Sequence, residues 1–260
     1  MLLNGGLILF EAGFQPLGIE GLDAALGGGV LRNGVVLISF DPGSGELAFS
    51  SEIIRSSLFK GDYVVHVDFD HGPDYSLNSI MGLGVDSDFL KGRLKAEYEA
   101  GKLRFIDCFT AESPQDRVES TAFSVILDNP YNLSKLLFTM KKVRESISPD
   151  CAVKWVFSNL TSLSINLPVQ DVIRFCRAAF RLHKQFNDQA IYYVNRCAHS
   201  PEFLSIIYQL VDAVIELRTR EMNNRVIRFL RVVKNQFKDH ITSDLTYKID
   251  KGRIIITLLK

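Results

Sequence analysis

Neither sign of charge dominates this chain: 30 Lys and Arg face 30 Asp and Glu, a formal net charge of zero over 260 residues. That balance excludes engagement of polyanions across the whole surface, such as coating nucleic acid or an anionic membrane, and leaves only local patches. Cysteine is scarce. Cys108, Cys151, Cys176 and Cys197 are far apart and contain no C-x-x-C pair, so neither a zinc knuckle nor a disulfide framework is expected, only reduced, mostly buried thiols. No internal repeat or low-complexity linker interrupts the chain, which reads as one domain over 1–260, and 47% hydrophobic content suffices for a sizeable core. The apolar stretch Met1 to Phe10 lacks a basic n-region and is too short to span a bilayer; a cytoplasmic location without membrane partners is expected.

What the chain does carry is an apolar run, Val35 to Phe40, without helical periodicity, entering a turn with Pro42, Gly43 and Gly45 before helix-forming sequence from Glu46 to Phe59. Buried strand, tight glycine turn and helix outline a P-loop, Asp41-Pro42-Gly43-Ser44-Gly45-Glu46-Leu47. A working P-loop needs glycines so that N–H groups turn inward on phosphate, a lysine for the outer phosphates, and a Ser or Thr hydroxyl for Mg²⁺. Here Glu46 holds the lysine position and Leu47 the hydroxyl position. Unit charges about 4 Å apart interact by about 4 kcal/mol at an effective dielectric near 20, so exchanging an attractive cation for a carboxylate disfavours triphosphate by several kcal/mol. The loop's shape is kept and its charge inverted.

The rest alternates strand and helix signals. Residues 15–34 combine a short helical piece with Gly27 to Gly29; a connector is favoured over a phosphate loop there because no helix N-terminus follows directly. Strands are expected at 63–70, 103–109, 152–159 and 189–195, with helices at 75–83, 132–146, 169–185 and 203–211 between them. Helices between strands imply a parallel sheet. Strands at 214–218, 226–234 and 253–259 close the chain, with antiparallel pairing at its end. In the 63–70 strand, His66, Asp68 and Asp70 fall on one face; a polar strand end bordering a site is a better reading than a metal centre, since neighbouring positions on one strand rarely converge on one ion. The 152–159 strand ends in Ser158 and Asn159, where an ATPase carries a carboxylate toward Mg²⁺.

Landmarks along nearly the whole chain resemble the KaiC-like branch of the RecA-superfamily ATPases. They include Leu17-Gly18-Ile19-Glu20-Gly21-Leu22-Asp23, Leu26-Gly27-Gly28-Gly29, Val67-Asp68-Phe69-Asp70, Leu160-Thr161-Ser162-Leu163, Leu210 to Ile215, Lys234 to His240 and Tyr247-Lys248-Ile249. The resemblance implies a RecA-like α/β P-loop fold, a twisted, mostly parallel sheet with helices on both faces and antiparallel C-terminal strands. It also implies ATP bound with Mg²⁺ between subunits. That chemistry does not carry over residue by residue: besides Glu46 and Leu47, Ser158 stands at the Walker B Asp, Asp70-His71 at a pair of glutamates, and Gln236 at an arginine that reaches a neighbouring subunit's phosphates. These four are vestigial positions, and neither bound cofactor nor metal is expected.

Phosphoryl transfer depends on positioning and charge neutralisation, so losing lysine, Mg²⁺ ligand and arginine together should abolish useful turnover. The expectation is a pseudo-ATPase that docks on itself or on active paralogues of the family. One alternative is a DNA-binding recombination modulator, resting on the basic segment Arg218 to Lys238, though few aromatics interleave there for base stacking. Another is a nucleotide- or anion-binding module without hydrolysis, with Glu46 alternatively pairing a nearby Lys or Arg.

Overall fold

The computed structural model describes residues 13–82, 87–110, 123–222 and 224–257. In chain order the elements are β1 Phe14–Gln15, α1 Glu20–Ala25, β2 Val30–Leu31, β3 Val35–Phe40, α2 Glu46–Lys60, β4 Tyr63–Asp68, α3 Pro73–Gly82, α4 Asp88–Glu99, β5 Leu103–Asp107 and β6 Ser124–Ile126. There follow α5 Leu133–Glu145, β7 Val153–Phe157, α6 Leu160–Asn166, α7 Val169–Phe186, β8 Gln189–Asn195, α8 Pro201–Leu210, β9 Ala213–Met222, β10 Arg225–Asn235, β11 Leu245–Asp250 and β12 Arg253–Thr257.

Ten strands form one sheet in the order β12-β11-β10-β9-β3-β8-β7-β4-β5-β6. Pairing is parallel from β9 across to β6 and antiparallel from β9 out to β12. β3 sits near the middle because its whole run Val-Val-Leu-Ile-Ser-Phe is buried on both sides. Val36, Ile38 and Phe40 pack toward Phe49, Ile53 and Leu58 of α2, while Val35 and Leu37 share the opposite core with α5 to α8. The expected helices on both faces and antiparallel C-terminal strands are therefore present.

Several local expectations change. β4 ends at Asp68, so Asp70 and His71 lie in the turn beyond it, and the one-face relation holds for His66 and Asp68 alone. α4, α6, β6 and β11 fall where no element is expected, and β9 and β10 run longer than their apolar cores suggest because they pair with each other over ten registered positions. Gly27 to Gly29 do form a connector: the buried Asn235 amide donates to Leu26 O at 2.8 Å and Gly29 O at 3.0 Å, tying it to β10. Cys108 and Cys176 are buried, but Cys151 is half-buried and Cys197 exposed, so the thiols are less buried than expected; none of the four forms a disulfide. The Met1 to Phe10 run lies outside the described residues, among which no helix is long and apolar enough to cross a membrane.

Candidate functional site

A cavity of about 310 Å³ opens at the carboxyl ends of β3, β4, β7 and β8, where open α/β sheets place their ligands. The glycine turn forms one wall. Gly45 caps α2 with φ 90° and ψ 36°, a left-handed conformation that suits glycine. A Cβ there would also lie 2.0 Å from Ile249 Cδ1 on β11.

The turn is fastened from outside. Asp41 accepts from Thr219 N at 2.9 Å and from Arg196 and the Cys197 thiol at 3.3 Å. Arg228 donates to Gly43 O at 3.0 Å and Tyr247 OH to Ser44 O at 2.8 Å, so β9, β10 and β11 together hold the loop. Tyr247's ionisation is pushed up, chiefly by burial, so its hydroxyl stays a proton donor. The amides of Gly43, Gly45, Glu46 and Leu47 have no acceptor among the described residues, as in a phosphate cradle.

Of the loop residues singled out in the sequence, Pro42, Gly43, Glu46 and Leu47 line the cavity, whereas Asp41, Ser44 and Gly45 do not. Asp70, His71 and Ser158 also reach it. Ser158 is occupied in holding two strands together, its hydroxyl accepting from Phe69 N at 3.0 Å while its amide bonds Val67 O at 2.9 Å. Asp70 accepts from the Ser162 hydroxyl at the start of α6, and His71 stacks on Tyr75 with ring centroids 4.3 Å apart. Gln236 is not brought here. Its amide bonds Asp212 O beyond the amino end of β9, at the opposite end of the sheet.

Asp68 and His66, both buried, also belong to the cavity lining. Asp68 accepts from the Ser76 hydroxyl and from the amides of Asp70 and His71 at 3.1 and 3.2 Å, and lies 3.2 Å from His66 Nε2. Burial alone raises its pKa, but the adjacent His66 ring and these donors prevail and hold the carboxyl down at about 2. His66 Nδ1 lies 3.0 Å from Val156 O. This pair is therefore consumed in joining β4, α3 and β7. Among the described residues no group of three or more His, Cys, Asp or Glu is placed to hold a metal ion.

Two wall residues went unmarked in the sequence. Tyr193 on β8, opposite Ile38 of β3, is 1% exposed, and its hydroxyl has no partner among the described residues; Asn195 ends the same strand and accepts from Cys197 N. The only sequence signal was a hydroxyl two residues before the end of an otherwise apolar strand. Glu46 has no ion-pair partner among the described residues, and no Lys or Arg lines the cavity, so the alternative in which it pairs a nearby cation is not met there.

A mostly parallel sheet with a glycine turn between its central strand and the following helix outlines a P-loop domain. The model of the family described as "ATPase: KaiC" matches residues 15–260, and the chain belongs to that family. A UPF0273 protein of Methanopyrus kandleri is 26% identical over 227 residues, covering 86% of this chain and 83% of the relative. One from Pyrococcus horikoshii is 27% identical over 151 residues, covering 58% of this chain and 56% of its own length. The crystal structure of a KaiC-like protein from Pyrococcus horikoshii superposes with a TM-score of 0.74 at 16% identity, covering 95% of this chain and all of that one, a likeness of fold.

Proposed function

We propose that this chain is a KaiC-family member that does not hydrolyse ATP and acts as a regulatory or interaction subunit, docking on itself or on active relatives. The observation carrying this reading is Glu46: in a family of ATPases, the first residue of α2 brings a carboxylate to the cavity beside the glycine turn, with no ion-pair partner among the described residues. Leu47 supplies no oxygen to Mg²⁺, and the Ser158 hydroxyl is engaged by Phe69 N. Scaffold without charge complement leaves surfaces as the means of action. Calorimetric titration with MgATP tests it. No saturable heat at millimolar nucleotide is expected; micromolar, Mg²⁺-dependent binding would overturn the proposal.

DNA binding has weaker support. Within the basic segment, Arg218 and Arg231 both engage Asp244, Lys234 donates to Val211 O at 2.6 Å at the end of α8, and Arg220 lies over Phe229. A gel shift whose affinity falls steeply with salt would revive it.

A further inference from the structure

We propose that the outer groove between α5 and α7 docks an acidic amphipathic helix of a partner protein. The inference deepens the interaction reading above and rests on it for the existence of a partner. It does not depend on Glu46, because the groove shares no residue with the cavity beside the glycine turn.

The two helices bury one face each. Leu136, Met140 and Val143 of α5 and Phe175, Cys176 and Ala179 of α7 join the same core against the sheet. Residues on their outer sides border an open groove of about 530 Å³. Leu137 and Leu182 are half-buried in it, Ala178 is exposed, and Phe138 is 61% exposed. A single apolar side chain on a surface is ordinary, but four bordering one groove form a patch that awaits a cover.

Charge sets the occupant. Lys141, Arg174, Arg177 and Arg181 line the groove, and no Asp or Glu does among the described residues. Asp171 is the only acid on α7 and pairs with Arg174 at 2.9 Å, while Lys141 approaches Glu145 of its own helix at 3.6 Å. Such exposed pairs within one helix exchange partners at little cost. Arg177 and Arg181 have no ion pair among the described residues.

The three arginines recur at spacings of three and four, which puts them in one stripe along α7. From Arg174 to Gln185 the groove follows α7 for about three turns, about 16 Å. That suits a helix laid lengthwise, whose apolar residues at i, i+3, i+4 and i+7 cover the floor while flanking carboxylates meet the arginines.

Other occupants fit less well. A phosphate backbone would engage the arginines but leave Leu137, Ala178 and Leu182 without apolar cover, and Phe138 is the one ring among the described lining residues on which a base could stack. A second copy of this chain is less complementary: α4 carries three acids against three bases, and α3 and α8 carry one acid each.

Fluorescence anisotropy of the full chain with a labelled synthetic helix, leucines at i, i+3, i+4 and i+7 and glutamates between, tests the inference. A scrambled peptide of the same composition and a version with lysine for glutamate are the controls. Micromolar binding is expected, about tenfold or more tighter than for the scrambled peptide, with the lysine version silent. Affinity falls about tenfold or more in the double variant Arg177→Glu, Arg181→Glu, and about fivefold or more in Phe138→Ser, which leaves every charge in place. All three side chains are exposed, and circular dichroism verifies folding. Equal affinity for ordered and scrambled peptides, either variant binding as the wild type does, or no binding at about 1 mM peptide overturns the inference. So does tighter binding of duplex DNA or phosphatidylserine vesicles, or self-association in sedimentation velocity that Phe138→Ser abolishes. Failure of peptide binding leaves the non-hydrolysing reading standing; MgATP turnover together with peptide binding refutes that reading and keeps the groove.

Discussion

At the scale of single residues, one substitution separates shape from charge. In Glu46→Lys the cradle amides stay where they are and the repulsive charge becomes attractive, so affinity for inorganic phosphate or MgATP should rise by about 2–4 kcal/mol. Turnover should not follow, because Leu47 and the engaged Ser158 hydroxyl still offer Mg²⁺ no ligand. Calorimetry of the variant checks this; unchanged phosphate affinity would mean that the turn is held in a shape unable to take an anion. Tyr247→Phe removes the hydroxyl donor to Ser44 O and should cost about 1 kcal/mol in urea unfolding. The Glu46 and Leu47 departures were legible because a P-loop fixes which residue type each position needs. Tyr193 and Tyr247 were not, since their meaning comes from contacts across the fold, 203 residues apart for Tyr247 and Ser44.

At the scale of elements, buried charges on β7 and α5 decide local stability in opposite directions. Arg144 of α5 and Asp188 before β8 form a pair with both side chains 2% exposed, Nε lying 2.9 Å from each carboxylate oxygen, and Trp155 Nε1 donates to the same group at 3.0 Å. Arg144→Ala leaves Asp188 buried without its cation and should cost about 3–5 kcal/mol by denaturant titration. Lys154 on β7 is the reverse case, 1% exposed with no hydrogen-bond partner for its amine among the described residues, and burial pushes its pKa down to about 8. Lys154→Met should stabilise by about 1–3 kcal/mol at neutral pH.

The sign of its pH dependence follows. A folded pKa near 8 below the unfolded value of 10.5 means that the unfolded chain binds more protons between them. The wild type therefore gains stability as pH rises through that window, and the Lys154→Met advantage should shrink. A constant advantage from pH 8 to 10.5 would contradict the assignment. Helices and strands were legible where apolar residues run together, as in β3, or keep one period, as in α7. α4 escaped because Gly92 and six charged residues from Asp88 to Glu99 blur its face, and β6 because three residues carry no period. β11 does alternate, Leu245, Tyr247 and Ile249 against Thr246, Lys248 and Asp250, but the short run is half charged or polar and gains its place only by pairing with β10 and β12.

At the scale of the whole molecule, the KaiC-family scaffold is present, with its mostly parallel sheet and glycine turn, and carboxylates rather than lysine or arginine stand around the turn. Glu46 and Asp70 face the cavity, Asp68 is withdrawn into a structural pair with His66, and the basic segment beyond β9 is largely spent on Asp244 and on the end of α8. The proposed reading is that such a molecule keeps the surfaces of an ATPase subunit without the means of phosphoryl transfer. The most direct test is release of inorganic phosphate by the full chain at saturating MgATP, with the Glu46→Lys variant in parallel. The account predicts no release above the nucleotide-only background for either protein; multiple turnovers by the wild type, abolished by removing Mg²⁺, would contradict it.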